Sequence, residues 1–169
     1  MKSALLFDFT VNKESKTIVV NREFAAPLSL VWDAWTKAEL LDKWWAPKPY
    51  RTETKSLDFR EGGMWLYAMI SPEDKKLWCK ADYKSIELLK QLSWLDAFCD
   101  EVGNENLEKP RSLWITVFTE NNSITTANIT LQHDSLADIA LMLKMGFKEG
   151  FTMGLGNLDE LLTTLKQKK

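Results

Sequence analysis

The sequence predicts an α+β domain: a curved antiparallel sheet, one face buried under a long C-terminal helix, with two short helices inserted after the opening strands. Three observations carry that reading. Residues 50–134 hold an apolar period of two, interrupted by turn chemistry. Residues 28–43 and 136–166 hold a helical period instead. The chain has 169 residues and 45% hydrophobic content, enough for one domain with a sizeable core and short for two.

The elements follow in order. Leu5, Phe7, Phe9 and Val11 alternate with polar neighbours, and 17–24 is β-branched, so two strands flank a hairpin loop at Asn12-Lys13-Glu14-Ser15-Lys16. Pro27 stops the second strand. Leu28, Val31, Trp32 and Trp35 then share one stripe of a helix over 28–36. Thr36 with Glu39 reads as a capping box opening a second helix over about 37–43. Trp44-Trp45-Ala46-Pro47-Lys48-Pro49 ends it, because a residue before proline is pushed out of the α region.

Six strands are expected near 51–59, 64–71, 76–86, 91–99, 111–119 and 123–133. Gly62-Gly63, Ser71-Pro72-Glu73-Asp74, a polar loop over about 100–110 and Asn121-Asn122 punctuate them. Short connections between consecutive strands argue for an antiparallel meander. Residues 136–145 form a short amphipathic helix capped by Asp134 or Ser135. Phe147, Phe151, Leu155, Leu158, Leu162 and Leu165 mark the long one over 147–166. A single straight helix over 136–166 would run about 46 Å, against a radius of gyration of roughly 15 Å for a chain of this size. A break near Gly146 is therefore expected.

Composition removes several function classes. There are 22 Lys+Arg against 24 Asp+Glu, a net charge of −2, so no electrostatic footprint for nucleic acid or an anionic membrane. One histidine, His133, rules out a multi-histidine metal site. Cys79 and Cys99 form no CxxC and read as reduced, packed thiols. No GxGxxG or Walker loop is present, and no apolar run approaches the roughly 18 residues of a membrane span. The opening residues 1–8 hold too few apolar positions for a signal-peptide core. The expectation is a soluble, cytoplasmic protein without metal or cofactor.

In their order and spacing, certain motifs resemble a known family. They are Ala26-Pro27 with Val31-Trp32, Leu40-Leu41 with Trp44-Trp45-Ala46-Pro47, Glu61-Gly62-Gly63, Gly146-Phe147 with Gly150-Phe151, and Leu158-Asp159-Glu160-Leu161-Leu162. The family is the activator-of-heat-shock-chaperone-ATPase homologues, within the START-like (SRPBCC) superfamily of helix-grip domains. The resemblance covers roughly Thr17 to Leu165 and implies a single START-like domain over 1–169. It also implies a cavity between sheet and long helix for a hydrophobic small molecule. Some superfamily members are cyclases or aromatases of polyketide synthesis, and others bind or transport. The family name points to a chaperone partner and a stress-response role, but it misleads about function. In the eukaryotic activators, stimulation depends heavily on a separate N-terminal domain, for which this length leaves no room. No catalytic residues carry over.

The composition stands out in its 8 Trp, 8 Phe and 3 Tyr. Trp65, Tyr67 and Met69 share one face of their strand, and Met64, Leu66, Ala68 and Ile70 the other, so both faces are covered or one lines something. Trp78, Trp94 and Trp114 add rings on neighbouring strands. Any single ring is ordinary core; as a group inside a grip they suit an apolar pocket, with indole N–H and tyrosine O–H as polar anchors. One ring of Trp44-Trp45 reads as a plug and the other as a gate at the pocket mouth. The expected wall is Trp45, Trp65, Tyr67, Trp78, Trp94, Trp114, Met142, Phe147 and Phe151. Glycines at 146, 150, 154 and 156 read as sites of close approach between helix and sheet, and Lys166-Gln167-Lys168-Lys169 as a solvated end.

The leading expectation is binding of an apolar or aromatic small molecule without catalysis. The alternative is a cyclase-, aromatase- or lyase-type enzyme with Asp96, His133 or Tyr67 as proton carriers, although Asp96 reads as a surface residue on an edge strand. A chaperone-contacting module is the third reading, and self-association as a homodimer is left open.

Overall fold

The computed structural model describes residues 5–167, so the readings of residues 1–4 and of Lys168 and Lys169 lie outside the described residues. The hairpin is β1 (Phe7–Asn12) and β2 (Thr17–Phe24), closed where Asn12 Oδ1 accepts from Ser15 N at 3.1 Å. Helices α1 (Leu28–Thr36) and α2 (Ala38–Trp44) follow. The meander is β3 (Arg51–Leu57), β4 (Met64–Ile70), β5 (Lys76–Glu87), β6 (Gln91–Phe98), β7 (Ser112–Asn121) and β8 (Ile124–Gln132). Helices α3 (Leu136–Lys144) and α4 (Phe147–Gln167) close the chain.

All eight strands form one antiparallel sheet in the order β1-β2-β8-β7-β6-β5-β4-β3. The two short helices carry the chain from β2 to the far edge, and the meander walks back until β8 pairs with β2. The inner face presents Ile18 and Val20 from β2, Ile129 and Leu131 from β8, and Trp114 and Phe118 from β7, all 4% exposed or less. Leu155, Leu158 and Leu162 of α4 fill the space against that face. This is the helix-grip arrangement.

Gly146 takes φ +90° between α3 and α4, a backbone region open to glycine, and the break expected there is what folds α4 back across the sheet. Ser135 caps α3, its Oγ accepting from Asp138 N at 3.2 Å. The capping box at Thr36 is corrected. Thr36 still belongs to α1 and its Oγ1 donates back to Trp32 O at 2.8 Å, while Lys37 opens α2 without a side-chain cap. Lys166 is also not merely solvated: its Nζ donates to Ala25 O at 2.6 Å, and with the Arg22–Asp159 ion pair it ties the end of α4 to β2.

Both faces of β4 are covered, as its apolar pattern requires. Leu66, Ala68 and Ile70 are buried on the outer face. There the loop after β6 folds over the strands, with Lys55 Nζ donating to Glu101 O at 2.7 Å and Gly103 seated against Met64.

Candidate functional site

A hollow of about 230 Å³ lies between β4–β6, the β7 indole and the α3–α4 corner. Its wall is largely apolar, built from Trp45, Tyr67, Trp114, Phe147, Phe151 and Met142, with Met69, Cys79, Phe98, Pro47 and Pro110 beside them. Leu77 and Met145 on its rim are 48% and 47% exposed, so the space opens to solvent between them. A dry cavity of ~150 Å³ accepts a benzene; this one has room for a ring or two.

Sheet alternation places the wall. In register, Trp94 stands opposite Trp114, Tyr83 opposite Trp94, Asp96 opposite Ala81, and Cys79 opposite Phe98 and Tyr67. All of these face α4. Trp45 comes from the C-terminus of α2 and sits at the centre of the aromatic group, its ring 5.5 Å from Trp114, 6.2 Å from Phe151 and 5.4 Å from Trp65. Phe147 and Phe151, one helical turn apart, stack at 5.4 Å and meet Trp114 edge-on. Gly154 brings α4 down onto this corner: a Cβ there would lie 3.2 Å from Trp45 O and 3.3 Å from Trp44 O.

Six of the nine expected wall residues line the hollow: Trp45, Tyr67, Trp114, Met142, Phe147 and Phe151. Trp65 and Trp94, 1% and 2% exposed, stand behind them as core. Trp65 stacks on Tyr67 at 4.0 Å, and Trp94 on Trp114 at 5.4 Å. Trp78 does not belong to the wall at all. Its neighbour Cys79 takes the inward position, so Trp78 points to the outer face, where Lys55 and Lys76 each lie 5.7 Å from its ring. The Trp44-Trp45 pair divides: Trp44 is the plug, 1% exposed with Nε1 donating to Ala34 O at 2.8 Å, and Trp45 is wall.

The polar groups differ from expectation. The two wall indoles spend their N–H bonds inside the protein, Trp45 Nε1 on Tyr67 Oη at 3.1 Å and Trp114 Nε1 on Asp96 Oδ2 at 2.6 Å. Neither is left as an anchor. Tyr67 and Asp96 carry the remaining polar side-chain atoms of the wall, and the reading of Asp96 as an edge-strand surface residue is corrected: β6 is interior, and alternation from Trp94 turns Asp96 toward the hollow, which it lines. Its Oδ1 accepts from Ser112 N at 2.8 Å. Burial pushes the carboxyl up to about 7, and the bonds from Trp114 and Ser112 only partly restrain it.

Burial also raises the Tyr67 hydroxyl well above its ordinary value, and the neighbouring Cys79 thiol to about 12. His133 is not on the wall. It is 3% exposed, with Nε2 at 2.8 Å from Ser112 Oγ, and burial lowers its pKa. Of the three proton carriers considered for an enzyme, the hollow therefore brings together Asp96 and Tyr67.

No group of His, Cys, Asp and Glu able to hold a metal occurs among the described residues, and no helix among them is long and apolar enough to cross a membrane. The large exposed apolar side chains include two aromatics, Phe7 and Tyr50, at opposite edges of the sheet.

The model of one protein family, described as activator of Hsp90 ATPase homolog 1-like protein, matches residues 25–163. Among solved structures, a protein of Mycobacterium smegmatis is 28% identical with a TM-score of 0.85, the match covering 94% of this chain and 97% of that one. A protein of Nitrosomonas europaea is also 28% identical, with a TM-score of 0.77 and 90% and 97% covered. One of Arthrobacter aurescens, at 24% identity, shares the fold with a TM-score of 0.87 over 93% and 91%. Among curated proteins, none matches the sequence.

Proposed function

The chain belongs to the activator of Hsp90 ATPase homolog 1-like family, whose START-like members commonly bind ligands, and from that premise we propose that it binds a small apolar or aromatic molecule in the hollow under α4. The observation that carries this reading is the hollow itself, about 230 Å³ and walled by aromatic rings that leave it unfilled. Drug-sized ligands occupy roughly 300–1,000 Å³, so the ligand is a molecule of one or two rings.

Thermal melts with naphthalene test the reading, together with native mass spectrometry of protein from its own host to seek a co-purifying molecule. Naphthalene is expected to raise the melting temperature of the wild type. Met69→Trp, which fills the hollow from its β4 side, removes the increase. No increase in the wild type, and no co-purifying molecule, would overturn the proposal.

A second reading has one observation in its favour. Asp96, with its carboxyl near 7 inside an apolar site, has the character of a general acid or base. In a cyclase- or lyase-type reaction it would be the proton carrier, beside the neutral Tyr67 hydroxyl. Turnover lost in Asp96→Asn with binding kept would support that reading.

A further inference from the structure

We infer that the hollow selects an organic cation, an aromatic or alkyl ammonium whose charged head meets the Asp96 carboxylate while its apolar body packs among Trp45, Trp114, Phe147 and Phe151. The inference rests on the binding reading above and names the chemistry of the ligand.

The hydrogen-bond inventory of the wall gives the direction. A ligand acceptor entering the hollow finds both wall indole N–H groups already committed, one to Tyr67 and one to Asp96, and the Tyr67 hydroxyl paired with the Cys79 thiol. A ligand donor finds a carboxylate. Each Asp96 oxygen accepts one protein N–H and keeps lone-pair capacity for another partner. The charge balance gives the class. Asp96 has no ion-pair partner among the described residues, and a carboxylate in an apolar site without a counter-charge is costly. An ammonium head supplies that missing charge. Aromatic rings around it add attraction at their faces, the device by which aromatic cages hold ammonium ligands.

The other groups facing Asp96 do not compete for this role. Tyr67 on β4 and Cys79 on β5 are held neutral by burial, which raises the hydroxyl well above its ordinary value and the thiol to about 12. The α3–α4 corner faces the hollow with Met142, Met145 and Phe147, none of them titratable. His133 reaches Asp96 only through Ser112, and burial favours its neutral form.

The experiment is a titration, followed by tryptophan fluorescence and calorimetry, with three matched probes: phenethylamine, ethylbenzene and 3-phenylpropionate. An alkylamine stays protonated to about pH 10, as a lysine does. At pH 8 phenethylamine is expected to bind at least ~10-fold more tightly than ethylbenzene, and 3-phenylpropionate more weakly than either. In Asp96→Asn the amine's advantage disappears while ethylbenzene still binds. The wild-type pH profile stands independently of whether that variant folds. Asp96 takes up its proton as pH falls through about 7, so amine affinity drops ~10-fold or more between pH 8 and 5.5, with ethylbenzene affinity unchanged. Ethylbenzene bound as well as the amine at pH 8 would overturn the cation inference and leave the hollow as a binding site. No binding of any probe would overturn both.

Discussion

The Trp114 indole donates to the Asp96 carboxylate across adjacent strands, Nε1 to Oδ2 at 2.6 Å, so one ring is at once a wall of the hollow and the hydrogen-bond partner of the acid inside it. The two residues are diagonal neighbours on β7 and β6, because Trp114 stands opposite Trp94 and Asp96 opposite Ser112. The same pairing that stacks two indoles therefore delivers a donor to the carboxylate.

Stability should fall as pH rises through the range where Asp96 ionises. The folded-state pKa, about 7, lies above the unfolded value near 4, so between these limits the native state binds more protons than the unfolded chain. The stabilisation from protonated Asp96 is full below about pH 4 and is lost as pH approaches 7. Each unit of difference is worth ~1.4 kcal/mol, making the change on the order of a few kcal/mol. Urea melts of wild type and Asp96→Asn from pH 4 to 8 isolate it. The difference in unfolding free energy, wild type minus variant, should decline with pH and level off above 7. A flat difference would mean that Asp96 is solvated in the native state.

Asn157 should prove a major determinant of stability. It is 9% exposed on α4, and its Nδ2 donates to Ala46 O at 3.1 Å and Trp44 O at 3.4 Å. Carbonyls at the end of a helix such as α2 have no partners within it, and this amide supplies them. Asn157→Ala should cost about 1–3 kcal/mol in a chemical melt, the penalty for leaving buried carbonyls unpaired. Asn157→Leu, which restores volume but no donor, should not recover it. Recovery by leucine would assign the residue a packing role only.

Gly154 and Gly156 should respond to the same substitution with opposite signs. Both lie within α4, where alanine is favoured over glycine by ~1 kcal/mol. At Gly156 a Cβ meets nothing within 4 Å, so Gly156→Ala should be stabilising by up to that amount. At Gly154 the added carbon presses on two main-chain carbonyls, which cannot turn aside as a flexible side chain would. Gly154→Ala should therefore destabilise by ~1–3 kcal/mol and lower any affinity of the hollow, because α4 must lift from Trp45. Parallel melting curves of the two variants decide the matter; equal shifts would remove the argument from close approach.

These two positions show what the sequence made legible. The period of two and the period of 3.6 located every strand and helix, since both depend on near neighbours and on one buried face. The reading of the four glycines as close approach to the sheet is corrected: Gly146 and Gly156 meet nothing within 4 Å, Gly150 meets Pro47, and Gly154 meets the main chain at the end of α2, because the outcome depends on where α2 ends relative to α4. Trp78 and Asp96 were misplaced for a related reason. Alternation says which residues share a face, and the inward face of β5 is apolar only through Cys79, Ala81 and Tyr83, while Trp78 is the larger apolar ring. Asp96 looked like a surface group because a carboxylate between Trp94 and Phe98 contradicts the pattern of a buried face. Its partners, a main-chain N–H and an indole from the next strand, come from residues 16 and 18 positions away. Asn157 gave no signal in sequence, being a polar position on an otherwise ordinary amphipathic helix.

The two thiols should differ in reactivity, and a ligand should widen the difference. Burial pushes Cys79 to about 12 and Cys99 to about 11, so both are poor thiolates at pH 8. A difference of one unit is tenfold in thiolate fraction. Cys99, part-exposed on the loop side of β6, should be modified first by a disulfide reagent, with Cys79 about tenfold slower. Cys79 is buried and lines the hollow, so labelling of its thiol in the folded protein is expected to proceed through that space. Naphthalene should therefore slow labelling of Cys79 further while leaving Cys99 unaffected, and peptide mass spectrometry after timed quenching separates the two sites. If Cys79 is labelled as fast as Cys99, or if naphthalene protects both alike, the thiol is reached by opening of the domain and does not report on the hollow.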